Sequence, residues 1–93
     1  MKAELTKADL ARTLKRSQRE RIMAGKLETG DVAALRKFIG LSQPRFAEAL
    51  GISVHTLRNW EQDRRAPEGP ALALLRIAAR HPSVLKENLR KAA

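Results

Sequence analysis

Apolar residues recur along this chain at intervals of three and four, which is the spacing of one face of an α-helix. No segment alternates apolar and polar residues as a half-buried strand does, so the pattern predicts an all-α chain. Serine, glycine and proline mark the helix ends, with Asp31, Ser42 and Ser53 as expected N-caps. The predicted helices span residues 32–39, 43–50, 54 to about 62, 70–80 and 83 to about 91. The helix over 70–80 is apolar almost all round, which predicts burial on most sides.

The first 29 residues are predicted to form a helical arm ahead of a domain that spans residues 30–93. Thr6 and Asp9 have the spacing of a capping box, so the arm helix is expected to begin at Thr6 and to end at Gly25. Residues 26–30 then form a linker. Apolar side chains of the arm are expected to be exposed and to need a covering surface, either a partner or the domain itself: Leu10, Leu14, Ile22 and Met23.

Residues 43–62 have the pattern of two short helices that cross over a tight turn. Ala47 is small enough for the crossing, and Gly51 tolerates the positive φ that the turn needs. Five apolar residues are predicted to bury the inner faces, two from the first helix, one from the turn and two from the second helix: Phe46, Leu50, Ile52, Leu57 and Trp60. A pair of amphipathic helices would not by chance fill every one of these positions. The segment is therefore predicted to be a helix-turn-helix.

The residues outside that buried set are candidates for contact with DNA, because the second helix of this motif enters the major groove. Arg58 has donors suited to guanine and Asn59 has an amide suited to adenine. Glu61 is expected to be exposed and either to orient Arg64 or Arg65 or to cap the helix locally. The alternative for Arg58 and Asn59 is a solvated helix face. The predicted DNA-binding residues are Gln43, Arg45, Ser53, Val54, His55, Thr56, Arg58, Asn59, Arg64 and Arg65.

Composition supports a polyanionic partner and argues against an enzyme. Nineteen Lys and Arg residues against ten Asp and Glu residues leave a net charge of +9. No cysteine, metal-ligand spacing or glycine-rich phosphate loop is present, so neither a cofactor nor a metal is expected. A small basic ribonuclease would share this size and charge, but the helical pattern disfavours one. Without a membrane-length apolar run or a signal-type N-terminus, a cytoplasmic location and no membrane partner are expected.

Residues 31–80 resemble the XRE family, a helix-turn-helix class that includes phage-type repressors. The motifs that carry the resemblance are LSQ at 41–43, FA at 46–47, LGIS at 50–53 and LRNWEQ at 57–62. The continuation RRAPEGPALALLRIAARHP, residues 64–82, is similar to HigA-like antitoxins of type II toxin–antitoxin systems. The resemblance implies a five-helix, lambda-repressor-like domain, here with an extra N-terminal helix.

The same resemblance implies a homodimer that represses its own operon by binding double-stranded operator DNA. It further implies neutralisation of a HigB/RelE-like toxin, an mRNA endonuclease. We assign toxin contact to the arm through Leu10, Leu14, Ile22 and Met23. The predicted dimer contact comprises Leu75, Val84, Leu85 and Leu89. Alternatives are a phage-like repressor without a toxin partner and an adaptor that uses the fold to bind protein.

Overall fold

The computed structural model of this protein describes residues 14–90. Helices and turns account for the secondary structure of that range, which contains no strand, so the predicted all-α class is confirmed there. Within residues 14–90, six helices follow one another: α1 Arg16–Ala24, α2 Asp31–Ile39, α3 Gln43–Leu50, α4 Val54–Glu61, α5 Pro70–Arg80 and α6 Pro82–Arg90. None of these helices is long and apolar enough to cross a membrane.

The helix ends follow local chemistry, as the serine and glycine positions predicted. Ser42 and Ser53 cap α3 and α4, each hydroxyl accepting a backbone N–H from the first turn. Gly51 ends α3 with φ 74°, a left-handed conformation that favours glycine. Asp31 is not the N-cap that the sequence predicted, because Gly30 occupies that position and Asp31 is the first residue of α2.

One hydrophobic core joins all six helices. Phe46 and Leu57 from the helix-turn-helix are completely buried, and Trp60 lies beside them. The remaining core residues come from the helices before and after: Leu14, Ile22, Val32, Leu35, Ile39, Ala47, Ala49, Leu50, Leu75, Ala78, Ala79, Leu85 and Leu89. Ile52, which was predicted to face inward, is partly buried at the edge of this core, and so is Phe38.

The N-terminal segment departs from its prediction. Helix α1 begins at Arg16, because Lys15 has extended backbone angles and Leu14 precedes it outside any helix. The expected start at Thr6, its capping box and Leu10 lie outside the described residues. Leu14 and Ile22 were expected to be exposed, but α1 packs on α5 and both side chains are buried in the chain's own core. Met23 is partly buried against the same core.

A partly buried ion pair connects α1 to α2. The Arg21 Nε and Nη2 atoms donate to the two carboxylate oxygens of Asp31 at 2.9 and 2.8 Å. The backbone N–H of Glu28 donates to the same carboxylate at 2.9 Å. Burial alone would raise the pKa of Asp31, but these hydrogen bonds and the charge of Arg21 outweigh it and lower that pKa. The segment at 26–30 is therefore held at both ends.

The C-terminal helices bury the residues that the sequence assigned to a dimer. Leu75, Leu85 and Leu89 are all less than a tenth exposed within a single chain, so they are not free to contact a second copy. The predicted dimer contact is wrong for these three residues, because α6 folds back on α3 and α5 and covers them. The prediction that α5 is buried on most sides is also wrong, since Leu74 and Ile77 are 38% and 46% exposed.

Candidate nucleic-acid interface

The candidate interface is built from α3, a tight turn over 51–53 and α4. The backbone N–H of Ile52 donates to the Ala47 carbonyl at 3.0 Å, which closes the turn directly after Gly51. Ala47 and Ala49 are buried where α3 meets its neighbours, so the helices approach without large side chains between them. Leu57 and Trp60 fix the inner face of α4 in the core. The opposite face of α4 is consequently held open.

That open face carries polar and small side chains. His55 and Arg58 are exposed, whereas Val54, Thr56 and Asn59 are partly buried. None of the five belongs to the buried core, although Val54 packs against its edge. Their positions allow side-chain contact with base edges if this helix lies in a groove.

The Ser53 hydroxyl has a structural task at the start of the same helix. It accepts the Thr56 N–H at 3.0 Å and donates to the Thr56 Oγ1 at 2.9 Å. Both residues were predicted to bind DNA, and this bond pair sets the position of Thr56 at the first turn. The N–H groups of that turn point out of the helix end, which favours an anion there.

A chain of hydrogen bonds runs from α2 across α3 to α4. Arg36 donates to both carboxylate oxygens of Glu61, from Nε at 2.7 Å and from Nη2 at 3.1 Å. The Gln43 Nε2 donates to the Glu61 Oε1 at 3.1 Å. The Arg58 Nε donates to the Gln43 Oε1 at 3.3 Å. Two residues predicted to bind DNA, Gln43 and Arg58, are thus connected to each other and to a shielded ion pair.

The prediction for Glu61 is wrong. Its side chain is 8% exposed and pairs with Arg36, instead of facing solvent and orienting Arg64 or Arg65. The sequence patterns did not point to Arg36 at all. A signal was present, because Glu61 follows Leu57 by four residues and therefore lies on the buried face of α4. A carboxylate on a buried face needs a cationic partner, and only the tertiary fold brings Arg36 to it.

Three further arginines surround this face. Arg45 pairs with Glu48 at 3.2 Å on the exposed side of α3, an ion pair of the kind that contributes little to stability. Arg64 and Arg65 are exposed in the loop after α4. The backbone N–H of Arg64 donates to the Asn59 carbonyl at 2.9 Å, which ties the start of that loop to α4. All three guanidinium groups are accessible to a polyanion.

The loop after α4 is anchored at Asp63. Its φ of 60° is left-handed, which is unusual for a residue other than glycine. The Thr29 hydroxyl donates to the Asp63 carboxylate at 2.7 Å and so joins the 26–30 segment to the loop. An open cleft of about 580 Å³ lies between the two segments. Within residues 14–90, no three His, Cys, Asp or Glu side chains come together as a metal site would require.

Curated proteins of two kinds are similar in sequence to part of this chain. Over 55 residues, the chain is 40% identical to antitoxin HigA-2 of Vibrio cholerae. Over 57 residues, it is 35% identical to the uncharacterized HTH-type transcriptional regulator YiaG of Escherichia coli. The chain resembles helix-turn-helix antitoxins and XRE-like regulators. This confirms the resemblance that the motifs at 41–62 predicted.

The matches cover part of each protein. The HigA-2 match spans 59% of this chain and 53% of the relative, and the YiaG match spans 61% and 59%. The chain therefore spans somewhat more than half the length of the curated relatives it matches. No family model matches the chain, and no solved structure matches it.

Proposed function

We propose that this protein is a sequence-specific DNA-binding regulator that places α4 in the major groove of operator DNA. The observation that carries the proposal is the open face of α4, where Arg58 and Asn59 are held outward by the burial of Leu57 and Trp60. Arg58 would contact a guanine and Asn59 an adenine, since their donor and acceptor patterns fit those bases. His55, Val54 and Thr56 complete the surface that faces the bases.

Phosphate contacts would come from the arginines around α4. Arg45, Arg64 and Arg65 are exposed on both sides of the reading helix, and their charge neutralises phosphates whatever the base sequence. The N-terminal turn of α4, capped by Ser53, offers backbone N–H groups to a further phosphate. The net charge of +9 strengthens association with DNA in general.

A gel shift at fixed salt tests this proposal, with the DNA upstream of the protein's own gene compared with a scrambled duplex. We expect retention of the upstream DNA only. Arg58→Ala and Asn59→Ala should each cost about 1–3 kcal/mol at a single base position, whereas Arg65→Ala should weaken all sequences alike. Equal, salt-sensitive retention of both duplexes would reduce the function to unspecific binding of a basic protein.

We also propose that the regulator is a homodimer whose contact is the groove between α5 and α6. Leu74, Ile77 and Val84 are the large apolar side chains most exposed within residues 14–90, at 38%, 46% and 41%. All three line one groove of about 350 Å³, beside Glu87. A second copy is the occupant that the charges favour. Glu87 lines this groove and Arg80 lines the adjoining one, which shares Ile77 with it, so a two-fold contact can bring opposite charges together at each end.

Ile77→Asp tests the dimer without disturbing the core, because Ile77 is nearly half exposed. Light scattering should report monomers, and operator binding should weaken steeply because two half-sites are no longer bound together. Ser83→Asp is the matched control, since Ser83 is exposed on α6 and lines a different part of the surface. Leu85→Asp is unsuitable because it would place a carboxylate in the core. An Ile77→Asp protein that remains dimeric would move the interface elsewhere.

Neutralisation of a toxin is the second function that we propose, and the similarity to antitoxin HigA-2 favours it. The partner would be a HigB/RelE-like endonuclease bound through the N-terminal arm. Burial of Leu14 and Ile22 in the core restricts that role to residues 1–13, which lie outside the described range, together with the partly buried Met23. Repression without a toxin partner is the alternative, and the similarity to YiaG favours it.

Removal of residues 1–13 tests the toxin contact. A longer deletion to residue 24 would remove Ile22 and Arg21 and would unfold the domain, so its result would be uninformative. We expect the shorter protein to bind operator DNA as before and to fail to rescue cells that express the product of the neighbouring gene, which this proposal expects to be the toxin. Rescue by the shortened protein would exclude residues 1–13 as the contact, and failure of the full chain to rescue would favour plain repression.

A further inference from the structure

We propose that Gln43 is a positioning residue for Arg58, so that base discrimination by Arg58 depends on a hydrogen bond within the protein. This inference rests on the proposed reading of DNA by α4 and adds the residue that sets its specificity. The sequence placed Gln43 among the predicted DNA-binding residues. In the structure, its amide bridges Glu61 and Arg58, with bonds of 3.1 and 3.3 Å.

The chemistry of the two neighbours fixes the orientation of the Gln43 amide. Ionised Glu61 can only accept hydrogen bonds and the Arg58 guanidinium can only donate them. The amide nitrogen must therefore face Glu61 and the amide oxygen must face Arg58. A reversed amide would set its oxygen against the carboxylate and its NH₂ group against the guanidinium. Gln43 thus has one stable arrangement between these two groups.

The Glu61 end of this bridge is rigid. Its carboxylate is held by two bonds from Arg36, and the two side chains are only 8% and 14% exposed. The Arg36 Nη1 donates in addition to the Leu41 carbonyl at 3.1 Å, one residue before the N-cap of α3. Gln43 begins the same helix. The anchor and the bridging amide are therefore both fixed to the start of α3.

The bridge selects one edge of the Arg58 guanidinium. Only Nε of this group donates to the protein within residues 14–90, to the Gln43 Oε1. The two terminal nitrogens remain to bond as a pair, which is the arrangement that reads the O6 and N7 atoms of a guanine. Without Gln43, the long side chain of Arg58 would adopt several rotamers and reach neighbouring bases or phosphates as well. Specificity would decline more than affinity.

The test measures base preference at each position of a selected site. Wild-type protein first selects its consensus from a library of randomised duplexes at fixed salt, and competition with every single-base variant then gives the discrimination ratios. Arg58→Ala identifies the base pair that Arg58 reads, because discrimination is lost there. A contact of this kind discriminates between bases by about 5- to 150-fold. We expect Gln43→Met, which keeps the length and loses the hydrogen bonds, to lower the ratio about three- to tenfold at that same pair.

The controls separate positioning from packing and from phosphate contact. Gln62→Met makes the same substitution at an exposed residue just after α4 and should leave every ratio unchanged. The double variant of Gln43→Met and Arg58→Ala should match Arg58→Ala alone, because the two residues act on one base pair. Circular dichroism melting checks that each variant is folded.

Several results would overturn the assignment. If Gln43→Met weakens binding to all duplexes equally, Gln43 contacts a phosphate. If Gln43→Met leaves the discrimination ratios unchanged, Gln43 has no part in base discrimination. If Gln43→Met loses discrimination at a base pair other than that of Arg58, Gln43 does not act through Arg58. The same conclusion follows if Arg58→Ala changes no discrimination ratio. The failures that concern Gln43 leave the DNA-reading function intact, whereas Arg58→Ala that changes no ratio would also remove the guanine contact proposed for Arg58. Wild-type protein that selects no consensus would overturn that function and, with it, this assignment.

Discussion

Replacement of Arg36 by methionine is the sharpest test of the buried ion pair beneath α4. Methionine approximates the length of arginine but carries no charge and no donor. In the variant, the Glu61 carboxylate would keep only the 3.1 Å bond from Gln43 in a site where it is 8% exposed. The variant therefore measures the cost of a carboxylate that is buried without a cation.

The expected loss is about 3–4 kcal/mol. Removal of one partner from a buried ion pair costs about 3–5 kcal/mol, and the surviving Gln43 bond sets the lower end of that range. Loss of the bond from the Arg36 Nη1 to the Leu41 carbonyl adds about 1 kcal/mol. Replacement of both Arg36 and Glu61 by methionine should instead lie within about 1 kcal/mol of the wild-type protein, because no buried charge remains.

Urea unfolding followed by circular dichroism measures these differences, at one protein concentration because any dimer stabilises the fold. With an m-value of about 1 kcal/mol/M, Arg36→Met should lower the midpoint by about 3 M. Arg16→Met is the matched control, because Arg16 pairs with Glu20 at 3.0 Å where the side chains are 93% and 60% exposed. Its effect should be below about 0.5 kcal/mol.

Two outcomes would refute this reasoning. If Arg36→Met shifts the midpoint no further than Arg16→Met, the Glu61 carboxylate is hydrated and the pair is not shielded from water. If the double replacement is as unstable as Arg36→Met, the loss arises from the missing guanidinium contacts and not from an uncompensated charge. A stable double replacement with an unstable single one would support burial of an unpaired carboxylate as the cause of the loss.

Three further predictions concern the ends of helices. Asp31→Asn should lower the free energy of unfolding by about 2 kcal/mol at pH 7. Because folding lowers the pKa of Asp31, this difference from the wild-type protein should persist above about pH 4 and shrink as the pH falls through the pKa of Asp31 in the folded state. Urea midpoints at pH 7 and pH 3 measure it. Gly25→Ala should lower the free energy of unfolding by about 1–2 kcal/mol, because φ is 74° and the added Cβ would lie 3.4 Å from the Leu72 Cδ2. A lower melting temperature would show this loss, and an unchanged one would mean that the end of α1 adapts to the alanine. Ser53→Ala should cost about 1 kcal/mol by loss of the α4 cap and should weaken operator binding, whereas a change in binding alone would assign the hydroxyl to DNA.

The helices from residue 31 onward and the outline of the open face of α4 could be predicted from local sequence. Ser42, Ser53 and Gly51 act through hydrogen bonds and backbone angles within a few residues of themselves, so their effects can be predicted without knowledge of the tertiary fold. The inward positions of Leu57 and Trp60 follow from helical periodicity alone. Exposure of Arg58 on the opposite side of α4 follows from the same period.

The charged and apolar groups that meet across helices could not be predicted in this way, because their contacts depend on the tertiary fold. Arg36 and Glu61 are 25 residues apart, and neither sequence periodicity nor capping chemistry links them. The same limit explains why burial of Ile22, Leu85 and Leu89 within the chain was not predicted. Apolar residues on a helix face have the same spacing whether a partner or the chain itself covers that face. Periodicity states that a helix face is buried, but the identity of the covering surface depends on how the chain folds back.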